Sequence, residues 1–188
     1  MSGPGSFRPE FKATPAKLAE AFALLKSAGK PLPILVGGAV VELDTASAIV
    51  SGDFDLVGGD ATAFDEAMVT VGFRREDRAG RLQRGYYHPD LLIGVEMVSG
   101  PYFDGRADRQ RVRVVRMPSG EVPVAPTEDM IADRLGQWAA NRADRRPLNQ
   151  AMLLLRLAED LDADYLDRRI KDETGGDLDL QAIRSMAG

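Results

Sequence analysis

The sequence predicts an α+β fold, in which a mixed sheet of about five strands is flanked by helices and followed by a helical C-terminal part. Three observations support this. Apolar residues recur at helical spacing up to Gly29 and again from Phe64 to Val71. From Phe73 to Val124 the pattern changes to short apolar runs, punctuated by His88-Pro89-Asp90, Gly100-Pro101 and Pro118-Ser119-Gly120. Beyond Pro126 the period is helical again, and no internal repeat or low-complexity segment interrupts it.

Residues 1–13 open with Met1-Ser2-Gly3-Pro4-Gly5-Ser6, which lacks the apolar stretch of a secretory signal and reads as a flexible leader. Thr14-Pro15 supplies an N-cap and first helical residue for a helix carrying Leu18, Phe22 and Leu25, stopped by Gly29. Pro33 to Val36 is a short strand, and Gly37-Gly38 turns it into a brief helix through Val40, Val41 and Leu43. Asp53 to Val57 is a second strand, and Asp60 caps a helix whose buried side is Phe64, Ala67, Met68 and Val71, ended by Gly72. Leu82 to Tyr87, Leu91 to Val98, Arg111 to Val115 and Val122 to Val124 are the remaining strand candidates. These elements make an α/β core over residues 14–125.

Residues 126–188 form the helical region. Thr127 caps a helix carrying Met130, Ile131, Leu135 and Trp138, and a second follows Pro147 with Ala151, Met152, Leu154, Leu155 and Ala158. Asp162 caps a third, Tyr165 to Lys171, and Gly175-Gly176 separates a last short one.

Composition narrows the chemistry. At 188 residues, 44% hydrophobic and 28% charged, the chain can bury one good-sized core plus a helical appendage. A net charge of -5 argues against a wholesale electrostatic grip on nucleic acid. Arginines cluster at Arg106, Arg109, Arg111, Arg113 and Arg116 and at Arg142, Arg145 and Arg146. Both clusters read first as solvated faces, and the former points weakly to an anionic partner. The absence of cysteine excludes disulfides and thiolate metal sites and fits a reducing, cytoplasmic compartment. With a single histidine, His88, placed by Pro89 in a turn, an imidazole-based zinc site is excluded as well. Any metal must be a hard cation on carboxylates, Mg2+ or Mn2+. The longest apolar stretches, near Leu91 to Val98 and Met152 to Leu157, are too short to span a bilayer, so no membrane is expected.

Val36-Gly37-Gly38 and Asp53-Phe54-Asp55 are the most informative motifs. A glycine pair after a strand lets backbone approach phosphates, and aspartates at i, i+2 on a strand share a face with Cα atoms about 6 to 7 Å apart. Two anions that close repel unless a cation joins them. Taken alone, the pair also fits capping residues or a solvent-facing edge. Glu96 adds a third carboxylate inside the apolar run Leu91-Leu92-Ile93-Gly94-Val95-Glu96-Met97-Val98, where a lone charge costs several kcal/mol unless it is paired or bound to a cation. Alternation places it on the face of Gly94, which leaves room beside it, and a salt bridge to an arginine is the other reading. Gly58-Gly59 is no phosphate loop of the Walker type, since no Lys-Ser/Thr pair follows.

Gly37-Gly38, Asp53-Phe54-Asp55 and an isolated Glu96 in a later strand together resemble the nucleotidyltransferase superfamily, with its minimal fold of the DNA polymerase beta type. The stretch Val122 to Leu135 resembles the start of the helical region in uncharacterised and AbiEii-toxin-like bacterial members, so the resemblance spans roughly residues 14 to 160. It implies that Gly37 and Gly38 form the phosphate-side turn and that Ser51 is a phosphate donor. It further implies that Asp53 and Asp55 bind magnesium carrying a triphosphate, and that Glu96 completes the site and helps activate an acceptor hydroxyl. Arg134 takes the position at which related proteins place a basic residue on the first C-terminal helix. It shares a face with Met130 and Trp138, from which it could neutralise phosphate or lie over the core. The spacing from Gly38 to Asp53 is at the long end of the pattern, which leaves room for a longer helix or a loop beside the nucleotide. The acids usual near the second C-terminal helix are missing from Arg146-Pro147-Leu148-Asn149-Gln150.

The expected function is metal-dependent transfer of a nucleoside monophosphate, with ATP among the candidate donors, to a hydroxyl of RNA, protein or a small molecule. The alternative is a non-catalytic nucleotide-binding or protein-interaction module of the same fold, including a toxin-antitoxin component with a protein partner.

Overall fold

The computed structural model describes Phe7, residues 9–76 and residues 84–187. Within these residues a seven-stranded mixed sheet carries helices, and four further helices complete the C-terminal part. The chain runs α1 (Pro9–Ser27), β1 (Ile34–Val36), α2 (Gly37–Asp44), β2 (Asp53–Val57), α3 (Ala61–Thr70), β3 (Arg74–Arg75), β4 (Arg84–Tyr87) and β5 (Gly94–Val98). It continues through β6 (Arg113–Met117), β7 (Gly120–Val124), α4 (Thr127–Ala140), α5 (Arg146–Leu157), α6 (Ala163–Thr174) and α7 (Leu180–Ala187).

The sheet order is β3-β4-β5-β2-β1-β7-β6. Strand β2 lies at its centre, antiparallel to β1 and parallel to β5. Its alternation explains that position, because Phe54 and Leu56 are fully buried on one face while Asp53 and Asp55 share the other. On the buried face Phe54 packs against Phe11 with ring centroids 5.2 Å apart. Helices α1 and α3 cover this side through Leu18, Phe22, Leu25, Phe64 and Met68.

Several boundaries differ from the sequence expectation. Helix α1 begins at Pro9, so Phe11 belongs to the core, and Thr14, expected as an N-cap, is a buried residue within the helix. Pro15 sits inside that helix, where the missing N–H falls in the second turn. The segment expected as a strand from Leu91 is regular only from Gly94, with Leu92 83% exposed. Arg109–Arg111 forms a short 3-10 turn and delays β6 to Arg113. β3 was not expected, because a two-residue strand carries no period. Leu82 and Gln83 of the strand expected from Leu82 to Tyr87 lie outside the described residues.

The helix ends follow local chemistry. Asp60 accepts from the amides of Thr62 and Ala63, and Asp162 accepts from Tyr165 N, so both are N-caps as expected. Thr127 is not a cap: its hydroxyl donates to Asp44 Oδ2 at 2.8 Å and ties α4 to the end of α2. Gly175 takes the left-handed conformation that ends α6. No helix among the described residues is long and apolar enough to cross a membrane.

Candidate active site

The register of the central strands assembles the acidic residues. Asp55 lies opposite Glu96 on β5 and Val36 on β1, while Asp53 lies opposite Gly94. The absent side chain at Gly94 keeps space beside Asp53, so three carboxylates can lean toward one point. Oxygens of Asp53, Asp55 and Glu96 lie within 4.8 Å of one another, and all three residues are half-buried.

Electrostatics follow from this crowding. Burial, then the charges of Asp53 and Glu96, raise the Asp55 carboxyl from 3.8 to about 6, against the pull of Arg134. Three hard oxygen donors at this separation suit a divalent cation of the Mg2+ or Mn2+ type, and a soft metal has no ligand here.

The glycine turn abuts this cluster. Gly37 has φ +71°, and a Cβ there would overlap the Asp55 carboxylate. Gly38 packs over Ser51, whose Oγ would lie 2.7 Å from an added Cβ. The backbone thus turns from β1 into α2 directly beside the acids, and the N-cap residue Val36 offers no side chain to the first amides of the helix. A helix end of this kind favours a phosphate. Gly37→Ala is therefore expected to cost about 1–3 kcal/mol in urea unfolding, combining left-handed strain with displacement of Asp55. Gly29→Ala is the control: it has φ +67° and open space around it, and should cost only the backbone part, about 1 kcal/mol.

Ser51 is nearly buried and bonded within the protein. Its hydroxyl donates to Asp53 O at 2.8 Å and its amide donates to Glu42 Oε2 at 2.6 Å. Glu42, fully buried at the end of α2, also accepts from Ser47 Oγ at 2.9 Å. The long spacing from Gly38 to Asp53 is thus a loop folded around one glutamate, with Ala46 and Ser47 at positive φ. Glu42 within the apolar run Ala39 to Leu43 is the sequence signal that could have found it.

A cleft of about 300 Å³ opens beside the acids, bordered by Gly37, Asp55, Phe103, Asp104, Arg134 and Glu173. Arg134 does point into it. Its side chain is 13% exposed, held by Asp133 Oδ2 at 2.8 Å and by Gln150 Oε1 at 3.4 Å. The same segment Arg146 to Gln150 that lacks acids supplies this amide.

The far wall is held by a buried network that sequence reasoning missed. Phe103 and Asp104 adopt φ +44° and +55°, an uncommon conformation for side chains of this kind. Beneath them, Asp129 accepts from Tyr102 Oη at 3.1 Å, Tyr165 Oη at 2.8 Å and Arg169 Nε at 2.7 Å. Arg169 is fully buried and also reaches Glu173 Oε1 at 2.6 Å. Burial and the neighbouring Asp129 carboxylate push both tyrosine hydroxyls up, Tyr165 to about 12. These partners come from three separate segments, so no local spacing reveals them.

Four of the five arginines of the first cluster are paired within the protein, and Arg109 lies 5.9 Å from the Tyr102 ring centroid. Arg106 pairs with Asp104 and Glu173, Arg111 with Asp162, Arg113 with Asp44 and Arg116 with Glu121. These four charges fasten loops and helices, which weakens the pointer to an anionic partner at that segment. His88 is a turn residue as expected, its ring edge-on to Phe73 and its Nδ1 accepting from Asp90 N.

Comparison with known proteins bears on the fold. No family model and no curated protein sequence matches the chain. A crystal structure of an antigenic nucleotidyltransferase-like protein from Paracoccidioides brasiliensis is similar over 97% of this chain and 95% of that one, with a TM-score of 0.63 and 16% identity. The Megavirus polyadenylate synthase is similar over 81% of this chain and 33% of its own, at a TM-score of 0.47 and 9% identity. The resemblance to AbiEii-toxin-like members rests on the tail sequence alone.

Proposed function

We propose that this chain, which has a nucleotidyltransferase-like fold, is a metal-dependent nucleotidyltransferase that moves a nucleoside monophosphate from a triphosphate to an acceptor hydroxyl. The observation that carries this reading is the convergence of Asp53, Asp55 and Glu96 within 4.8 Å beside the Gly37-Gly38 turn. Asp53 and Asp55 would hold the cation, Mg2+ or Mn2+, with Glu96 completing the set. When bound, the cation supplies positive charge to the triphosphate and to the departing pyrophosphate.

The chain's own groups have distinct tasks. The glycine turn and the first amides of α2 receive phosphate oxygens. Arg134 adds positive charge from the opposite wall, held in place by Asp133 and Gln150. Glu96 is positioned to take the proton as the acceptor oxygen bonds to the α-phosphorus and the bond to pyrophosphate breaks. Ser51 serves first to shape the turn, and would reach a phosphate only by exchanging its bond to Asp53 O. The absence of cysteine is in keeping with a reducing, cytoplasmic setting.

The acid-rich cleft explains why a cation is required. Asp55, Asp104, Asp133 and Glu173 border it; Arg134 and Arg106 offset part of that charge, but Asp53 and Glu96 stand beside Asp55, so a bare triphosphate meets net repulsion. ATP and Mg2+ together are therefore expected to raise the unfolding temperature, and ATP with a chelator to leave it unchanged. Equal stabilisation in both conditions would contradict the reading.

A further inference from the structure

A second concave surface lies on the helical part, away from the acids. It is a groove of about 810 Å³ whose floor includes Trp138, Leu148, Met152 and Leu155. Arg142, Arg145, Arg156 and Arg184 stand around it, all exposed, and none has an ion-pair partner among the described residues. Arg146 immediately alongside is neutralised by Asp144 at 2.7 Å. In a chain of net charge -5 this concentration of unpaired guanidinium groups is unusual, and Glu159 is the one carboxylate among the described lining residues.

The groove lies close to the cleft along two helices. Arg134 and Trp138 are one turn apart on α4, the former in the cleft and the latter in the groove. On α5, Asn149 lines the groove while the adjacent Gln150 accepts from Arg134. The Arg142 guanidinium lies 3.9 Å from the Trp138 ring centroid, giving a planar cationic platform. Bases stack on such surfaces, and phosphates take the arginines around them.

From this we infer that the groove binds the acceptor strand, a single-stranded nucleic acid whose terminal hydroxyl reaches the cleft. The inference rests on the reading of the cleft as a nucleotidyl-transfer site. An acidic polypeptide would satisfy the arginines too. The single helical turn between Trp138 and the cleft residue Arg134, and the stacked Trp138–Arg142 pair, favour a strand with bases and a terminal hydroxyl.

The test is fluorescence anisotropy of 5′-labelled oligouridylate of about ten nucleotides, its deoxy counterpart, and labelled polyglutamate. Binding of the oligonucleotide should weaken with salt at a log–log slope of about -3, the value for roughly four neutralised phosphates. Arg142→Glu and Arg156→Glu should each weaken it at least about tenfold while leaving the unfolding temperature and the ATP–Mg2+ stabilisation unchanged. The ribose and deoxyribose arms show which strand is preferred. A flat salt response, indifference to both substitutions, or binding of polyglutamate in place of either oligonucleotide overturns the inference. Failure of the cleft reading looks different: ATP–Mg2+ stabilisation is absent while oligonucleotide binding survives.

Discussion

Asp55→Asn is expected to lower nucleotidyl transfer at least about a hundredfold and, in the metal-free protein, to raise the unfolding temperature. The two effects have one cause. Asp55 is held at about 6, above its ordinary 3.8, by burial and by the adjacent Asp53 and Glu96. The native state therefore binds a proton more readily than the unfolded chain, and stability falls as pH rises through about 6. At pH 7 the ionised group weakens the protein by roughly 1–2 kcal/mol after allowance for solvent screening. Asparagine removes that charge, which for a chain of this size corresponds to a gain of a few degrees. The gain should shrink as pH falls below about 6, where wild-type Asp55 carries its proton. With Mg2+ or Mn2+ present the order reverses, because only the wild type has the full ligand set. Calorimetry of both proteins at pH 5 and pH 7.5, with and without the metal, checks each arm.

Arg169→Met is expected to be the most destabilising single change, at about 3–5 kcal/mol in urea unfolding. The guanidinium is fully buried against Asp129, so its removal leaves a carboxylate in the interior with only two tyrosine hydroxyls. Adding Asp129→Asn should recover much of the loss, since no buried charge remains while the tyrosines keep an acceptor. The consequence reaches the cleft. Phe103 and Asp104 form its far wall in a conformation held next to Tyr102, a member of the network. Arg169→Met should therefore also weaken the ATP–Mg2+ stabilisation, although no atom of Arg169 is among the groups assigned to the triphosphate.

The elements nearest the acids were legible in the sequence because their signals are local. The Asp53-Phe54-Asp55 alternation, the Gly37-Gly38 turn and the Asp60 cap each depend on neighbours a few residues away, and each stands where the sequence places it. Glu96 was legible for an energetic reason, as a charge in an apolar run, and the register with Asp55 shows what it faces. The Asp129 network was not, because Tyr102, Asp129, Tyr165 and Arg169 become neighbours only when the helical part folds back. The arginines show the same limit. Both clusters read alike in one dimension, yet in the first Arg111 and Arg113 are paired with carboxylates distant in sequence, while Arg142 and Arg145 of the second line an open groove. The strand missing from the expectation is β3, a two-residue strand that owes its existence to pairing with β4 more than to its own composition.

Label transfer tests the central claim most directly. The protein is incubated with Mg2+ and each α-labelled nucleoside triphosphate, with total RNA and its own polypeptide as acceptors, beside Asp53→Ala and Glu96→Ala. The wild type should attach label covalently to an acceptor, and both variants should lose that transfer. Transfer that persists in both would contradict the assigned site. Triphosphate binding without transfer to any acceptor would contradict the catalytic claim and leave a nucleotide-binding module in its place.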